Sequence, residues 1–272
     1  MMKVALRYLA ILTILVMSAF TVQDNSYRSL KQESFGPGEV LNYRIHYGIF
    51  NAAKATMTVS DKIYKLNDRP CYRIDIKGST SGAVEMFYQV DDRWGTYMDT
   101  AALIPHRFYR FIKENKYRKN EIVDFDQKTG KAHVTYLSKD SKTVENKNSF
   151  QVPQNVLDLV SGYYFFRTLN FDSYNPGDQV DLSGFFDDEV YKFQLRYLRK
   201  ETIKTKLGKM EAYVIAPVMP DNEVFDGEDS IEAWISADKN RIPLKIRAKM
   251  FIGAVEVDIT SVEGLKNDLG DI

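Results

Sequence analysis

Hydrophobic and polar residues alternate along most of this chain. After Pro37, Leu41, Tyr43, Ile45, Tyr47 and Ile49 fall on one face, with Asn42, Arg44 and His46 on the other. A period of two predicts a half-buried strand. Ala53, Ala55, Met57 and Val59 oppose Lys54, Thr56, Thr58 and Ser60, and Tyr72, Ile74 and Ile76 oppose Arg73, Asp75 and Lys77. The second half repeats the habit with Tyr191, Phe193, Leu195 and Tyr197 against Lys192, Gln194 and Arg196. Leu244, Ile246, Ala248 and Met250 stand against Lys245, Arg247 and Lys249, and Val255, Val257 and Ile259 against Glu256, Asp258 and Thr260. Clean alternation predicts an antiparallel sheet with one wet face, because parallel strands are apolar on both sides. About a dozen strands fit between turn signals such as Leu66-Asn67-Asp68, Lys128-Thr129-Gly130 and Asp238-Lys239-Asn240.

From Asn155 to Leu169 the rhythm changes. Val156, Leu159, Val160, Tyr163 and Phe166 follow helical spacing, with Asn155 as the expected N-cap and Asp158 in the first turn. Leu157, Tyr164 and Phe165 make the other side apolar as well, which predicts a buried helix packed against the sheet or plugging it.

The segments flanking this helix resemble each other. Pro37-Gly38-Glu39 opens the first and Pro176-Gly177-Asp178 the second, and Trp94 and Trp234 lie 57 and 58 positions after those prolines. Asp99 and Ile104-Pro105 follow the first Trp, and Asp238 and Ile242-Pro243 the second. The expected architecture is mainly β: a strongly curved antiparallel sheet or open barrel built from two similar halves, with one central buried helix. The halves are residues 35–152 and 171–272, with the helix in 153–170, and all three form one continuous domain.

Composition adds an address. Lys3 and Arg7 precede an apolar run from Tyr8 to Met17, and Ser18 to Thr21 offer small residues for cleavage. These are the marks of a secretory signal peptide, and the run is shorter than the about 20 residues a spanning helix needs. Residues 1–21 are therefore expected to be removed, 22–34 to form a linker, and the mature protein to work in the periplasm without a transmembrane segment. Lys+Arg and Asp+Glu number 37 each, so no basic field points to nucleic acid. Cys71 is the single cysteine and lies in a strand pattern, where a structural thiol is the expected role.

The chemistry-bearing residues make no catalytic pattern. His46, His106 and His133 lack a second His or Cys at metal-ligand spacing, and no Gly-x-Ser-x-Gly elbow is present. Gly78 to Gly82 reads as a flexible turn. Asp221, Glu223, Asp226, Glu228 and Asp229 offer oxygen ligands for calcium but lack the EF-hand order, and read as a solvated loop. Asp91-Asp92 and Asp187-Asp188-Glu189 read as turn acids. Arg167, near the end of the helix, suits the helix dipole and can also satisfy a buried carboxylate from the sheet. No cofactor or metal is implied.

Phe35 to Tyr43, Val156-Leu157-Asp158 through Arg167, Trp234 to Pro243 and Ile252-Gly253-Ala254-Val255 together resemble an exported bacterial family, domain of unknown function 3108. The resemblance runs from Phe35 to Gly264 and implies export and a β-rich domain; it supplies no catalytic residues. This chain lacks a lipid-attachment cysteine, and its acidic loop is its own.

Two functional readings stand side by side. An aromatic-rich curved sheet with a covering helix suits a non-catalytic binder of an apolar or amphiphilic, lipid-like ligand, with Tyr163, Phe166 and Arg167 as candidate lining. Exposed sheet edges suit a protein-interaction or scaffold module of envelope assembly. A glycan or ester hydrolase is the third, and would need two acids in a cleft or a Ser beside one of the histidines.

Overall fold

The computed structural model describes residues 27–218, 230–250 and 252–269. The segment expected to be a signal peptide and the acidic run 221–229 lie outside them. The strands are β1 (Val40–Tyr47), β2 (Phe50–Leu66), β3 (Arg69–Thr80), β4 (Asp91–Asp99), β5 (Pro105–Glu114), β6 (Tyr117–Asp126), β7 (Lys131–Leu137) and β8 (Val144–Gln151). After helix α1 (Leu159–Phe166) come β9 (Gln179–Phe186), β10 (Glu189–Thr205), β11 (Gly208–Pro217), β12 (Ile231–Ser236), β13 (Pro243–Lys249) and β14 (Ala254–Glu263). All belong to one antiparallel sheet in the order β8-β7-β6-β5-β4-β3-β2-β1-β14-β13-β12-β11-β10-β9. Every neighbour is a sequential hairpin except β1 and β14, which join the two halves.

The two halves share a six-strand plan. Pro37-Gly38 precedes β1 and Pro176-Gly177 precedes β9, with both glycines at positive φ, a conformation that side chains resist. Trp94 and Trp234 sit on the fourth strand of each unit, and Pro105 and Pro243 open the fifth. The hairpin β7–β8 is an addition to the first half. Asn67 and Asp68, both at positive φ, make the tight turn between β2 and β3. Gly78 to Thr80 belong to β3, and the turn expected there begins only at Ser81.

β8 and β9 follow each other in the chain yet sit at opposite edges of the sheet, so the sheet must curl. The Val152 amide donates to the Gly130 carbonyl (2.8 Å) on the β7–β8 side. Five residues later the Leu157 amide donates to Ser183 (2.9 Å), and the Phe185 amide donates back to Leu157 (2.8 Å), both on β9. Five residues of extended chain reach at most about 17 Å, which sets how near the two edges come. The β9–β10 turn completes the seam. Asp187 bonds Arg110 and Lys119, Asp188 accepts from the Tyr136 hydroxyl (2.5 Å), and Phe186 stacks on Trp94 at 5.9 Å. These acids lock the seam as well as turn the chain.

The main core fills the curl, from Leu41, Ile74, Met98, Phe108 and Phe125 to Val214 and Leu244. A second cluster of Phe171, Leu195, Tyr197, Tyr213, Ile215 and Ile235 covers the opposite face of the second half. β11 is therefore buried on both faces, with Ala212 to Ala216 all inaccessible. The expectation of one wet face fails there because residues 171–174 fold back over it.

α1 is shorter than the pattern predicts. Asn155 takes a positive φ in a turn, and Val156 to Asp158 stay extended because Leu157 pairs with β9. Asp158 is the true N-cap, accepting from the amides of Val160 (2.8 Å) and Ser161 (2.9 Å), while Ser161 Oγ accepts from the Asp158 amide.

Candidate functional site

Sheet register builds a charged row that no single segment shows. Arg44 on β1 pairs with Asp258 on β14, which pairs with Lys245 on β13, which pairs with Trp234 on β12. One step along, His46, Glu256 and Arg247 line up in the same way. The contacts follow: Arg44 to Asp258 at 3.0 Å, His46 Nε2 to Asp258 at 2.8 Å, Lys245 to Glu256 at 2.9 Å and Arg247 to Glu256 at 3.2 Å. On the far side Arg199 holds Glu201 (3.0 Å) and Glu232 (2.9 Å), and the Trp234 indole donates to Glu201 at 2.7 Å. Asp258 is held below the usual carboxylate range: burial pushes it up, but hydrogen bonds from Arg44 and His46 outweigh that.

β10 curls over this row far enough to touch β14. Between them lies an open cleft of about 420 Å³. Its apolar side is Ile203 and Trp234, with Leu244 and Ile259 almost wholly buried next to it; its cations are Arg44, Lys204, Lys206, Lys245 and Arg247; its acids are Glu201 and Asp258. Counting Glu256 beside them, five cations face three carboxylates. The buried Nε of Arg44 has no hydrogen-bond partner among the described residues, while Nη2 of the same guanidinium donates to Asp258. His46, Glu256 and Asp258 also bring possible metal-ligand atoms within 4.8 Å of one another. Their acids are already matched by Arg44, Lys245 and Arg247, so a cation there would have to displace three positive groups.

The helix residues named from sequence sit elsewhere. Arg167 is fully buried and forms a bidentate pair with Glu39 (2.5 and 2.7 Å), donating as well to the carbonyls of Asn240 (2.9 Å) and Ser34 (3.1 Å). Phe35 and Tyr164 flank its guanidinium. Tyr163 packs on the main core, and Phe166 touches both apolar clusters. Burial raises the pKa of Tyr163 and of Tyr164, keeping both hydroxyls neutral.

Another buried polar group closes the same end of the sheet. Asp99 accepts from Arg69 (2.6 Å), from the amides of Ala101 and Ala102, and from His106 Nε2 at 3.3 Å; His106 Nδ1 faces the Asn67 amide at 3.1 Å. Burial raises the Asp99 pKa, yet these donors, His106 and Arg69 first, bring it well below the normal range. Cys71 pairs beside Asp99 in the sheet, and burial pushes its thiol up to about 12. A protonated, inaccessible thiol is no nucleophile, and Cys71 is placed to pack the sheet beside this polar group.

The fold is a barrel-like antiparallel sheet left open at one seam, carrying an amphipathic cleft. The chain belongs to the family described as "Protein of unknown function (DUF3108)", whose model matches residues 42–260. It is similar in fold to a β-barrel-like protein of domain of unknown function DUF1849 from Brucella abortus, with 12% identity over 84% of this chain and 97% of that one, at a TM-score of 0.51. Weaker likenesses are a candidate exported protein with a YmcC-like fold from Bacteroides fragilis and a candidate lipoprotein from Parabacteroides distasonis. The first has 7% identity over 88% of this chain and all of that one, at a TM-score of 0.33. The second has 9% identity over the same shares, at 0.28. No curated protein matches the chain. Among the described residues no helix is long and apolar enough to cross a membrane.

Proposed function

We propose that this is an exported, non-catalytic binding protein of the cell envelope whose ligand is an amphiphile with an anionic head. The lining of the cleft carries the reading: the cations Arg44, Lys204, Lys206, Lys245 and Arg247 stand beside the apolar Ile203 and Trp234. The cleft volume falls in the about 300–1,000 Å³ range of small-molecule sites. In this arrangement the head group accepts from Arg44, Lys245 and the hairpin lysines 204 and 206, while the tail lies on Ile203 and Trp234. Tyr163 and Phe166, packed on the core, and Arg167, held by Glu39, take no part in this arrangement. Export rests on the signal-like start, with the periplasm as the compartment.

Native mass spectrometry of the protein, purified from its own cells without detergent, is the test. The expected result is an added mass that extracts into organic solvent. Laurate should then bind the emptied protein, and bind at least about tenfold more weakly after Arg44→Ala with Lys245→Ala, since even one lost charged hydrogen bond weakens binding by about 1.5–3 kcal/mol and about 1.4 kcal/mol is a factor of ten. A bare polypeptide mass with no laurate binding would overturn the reading and favour a protein partner.

A further inference from the structure

One end of the sheet is sealed and the other is greasy. Hairpin directions place the β1–β2, β3–β4, β5–β6 and β13–β14 connections at the same end, opposite the Arg167 and Asp99 clusters. At their tips Ile49 is 90%, Phe87 84%, Met86 82% and Ile252 82% exposed, with Phe50 beside them. The turns are tied together: the Tyr47 hydroxyl donates to the Ile252 carbonyl (2.5 Å), the Ser81 amide to Ala52 (3.0 Å) and the Asn115 amide to Gln89 (2.8 Å). This makes one apolar rim rather than four scattered residues, and contiguous apolar surface of this kind marks an interaction site.

We propose that this rim docks on an anionic lipid bilayer, its tips entering the boundary between head groups and acyl chains. Side chains that stand free from separate turns need no complementary wall, and fluid hydrocarbon supplies none. Tyr47, Tyr88 and Tyr117 are also exposed near the turns but less so than the tips, the level at which tyrosines sit in membrane interfaces. Charge selects the lipid. Lys54, Lys77, Lys116 and Lys249 are exposed around the rim, and among the described residues none has a carboxylate partner. Among the described residues of these four turns the acids are Glu85, Asp91, Asp92 and Glu114; Asp91 faces Lys113, Asp92 accepts from the Lys113 amide and Glu114 accepts from Tyr88. Unpaired lysines near a bilayer contribute roughly 1 kcal/mol each with anionic lipid, in addition to the buried apolar area. The bilayer is thus the partner that uses both features, independently of any ligand in the cleft.

Vesicle co-sedimentation tests this, using protein from cells expressing the full chain. Vesicles of phosphatidylcholine with about one third phosphatidylglycerol should bind it, and phosphatidylcholine alone should bind it at least about tenfold more weakly. Ile49→Ser with Phe87→Ser should abolish binding while leaving the melting temperature unchanged, because both side chains are in water. Lys54→Gln with Lys249→Gln should weaken binding and reduce its salt dependence, and the Arg44 and Lys245 variants should bind vesicles like the wild type. Failure of the wild type to sediment, or equal binding by the serine variant, would overturn the proposal. So would a wild-type dimer that the serine variant dissolves while vesicles capture neither.

Discussion

Asp158 shows how one carboxylate can couple the fold to pH. It is 2% exposed, caps α1 and accepts from Thr96 Oγ1 at 2.7 Å. Burial pushes its pKa up to about 6, against the opposing effect of those hydrogen bonds. The unfolded value is about 3.9, so the native state holds the proton more tightly. This group's contribution to stability therefore falls as pH rises from about 4 to 6, and at pH 7 the charged form costs on the order of 2–3 kcal/mol. Asp158→Asn keeps the cap, and its amide can donate to Thr96 while Thr96 donates to the Arg107 carbonyl, 3.1 Å away. The variant should be more stable than wild type at pH 7 by about 1–3 kcal/mol and equal to it near pH 4, as measured by urea titration at both pH values. A pH-independent difference between the two proteins would show that Asp158 does not titrate in this window. The sequence marked Asp158 as a first-turn acid. Its burial and its Thr96 partner, 62 positions away, were beyond any local pattern.

At the scale of the element, Arg167 fastens the end of α1 to β1 and to the β12–β13 turn. The helical pattern placed this residue near the helix end and allowed for a sheet carboxylate; Glu39, 128 positions away, is that carboxylate. Losing one partner of a buried pair strands the other, at a cost of about 3–5 kcal/mol. Glu39→Gln should destabilise the protein by about that amount. Arg167→Met combined with Glu39→Leu should recover roughly half, because no charge is then left stranded although the Asn240 and Ser34 carbonyls lose their donor. A double variant no more stable than Glu39→Gln would show that the carbonyl bonds, and not the ion pair, dock the helix. The charged row of the cleft is a similar lesson in strands. Its signal lay in two adjacent polar faces of opposite sign, Lys245 and Arg247 before Glu256 and Asp258, which a hairpin pairs across. His46 and Arg44 join the row only through β1–β14 pairing, between residues more than 200 positions apart.

For the whole molecule, the unclosed seam predicts uneven stability. β1 and β14 lie in the middle of the sheet, paired on both sides, whereas β8 is an edge strand exposed or half-buried along its whole length. Amide hydrogen exchange should be at least about a hundredfold faster across β8 than across β1 and β14, since edge strands open without disturbing the core. Equal protection would mean that the seam is closed by a partner or by a second copy. β9 should be slower than β8, because Leu157 and the Asp187–Asp188 turn hold it in place.

Local chemistry determined the strands, the buried helix, the repeated six-strand plan and the family, because side-chain alternation, turn residues and paired Pro-Gly and Trp signals all act over a few neighbouring positions. Tertiary structure alone decided where α1 begins, which face of β11 is covered, what Arg167 and Asp187 bind, and which charges meet in the cleft. Those outcomes depend on strand register and on how far the sheet curls, and both are set by contacts between residues that sequence distance keeps apart.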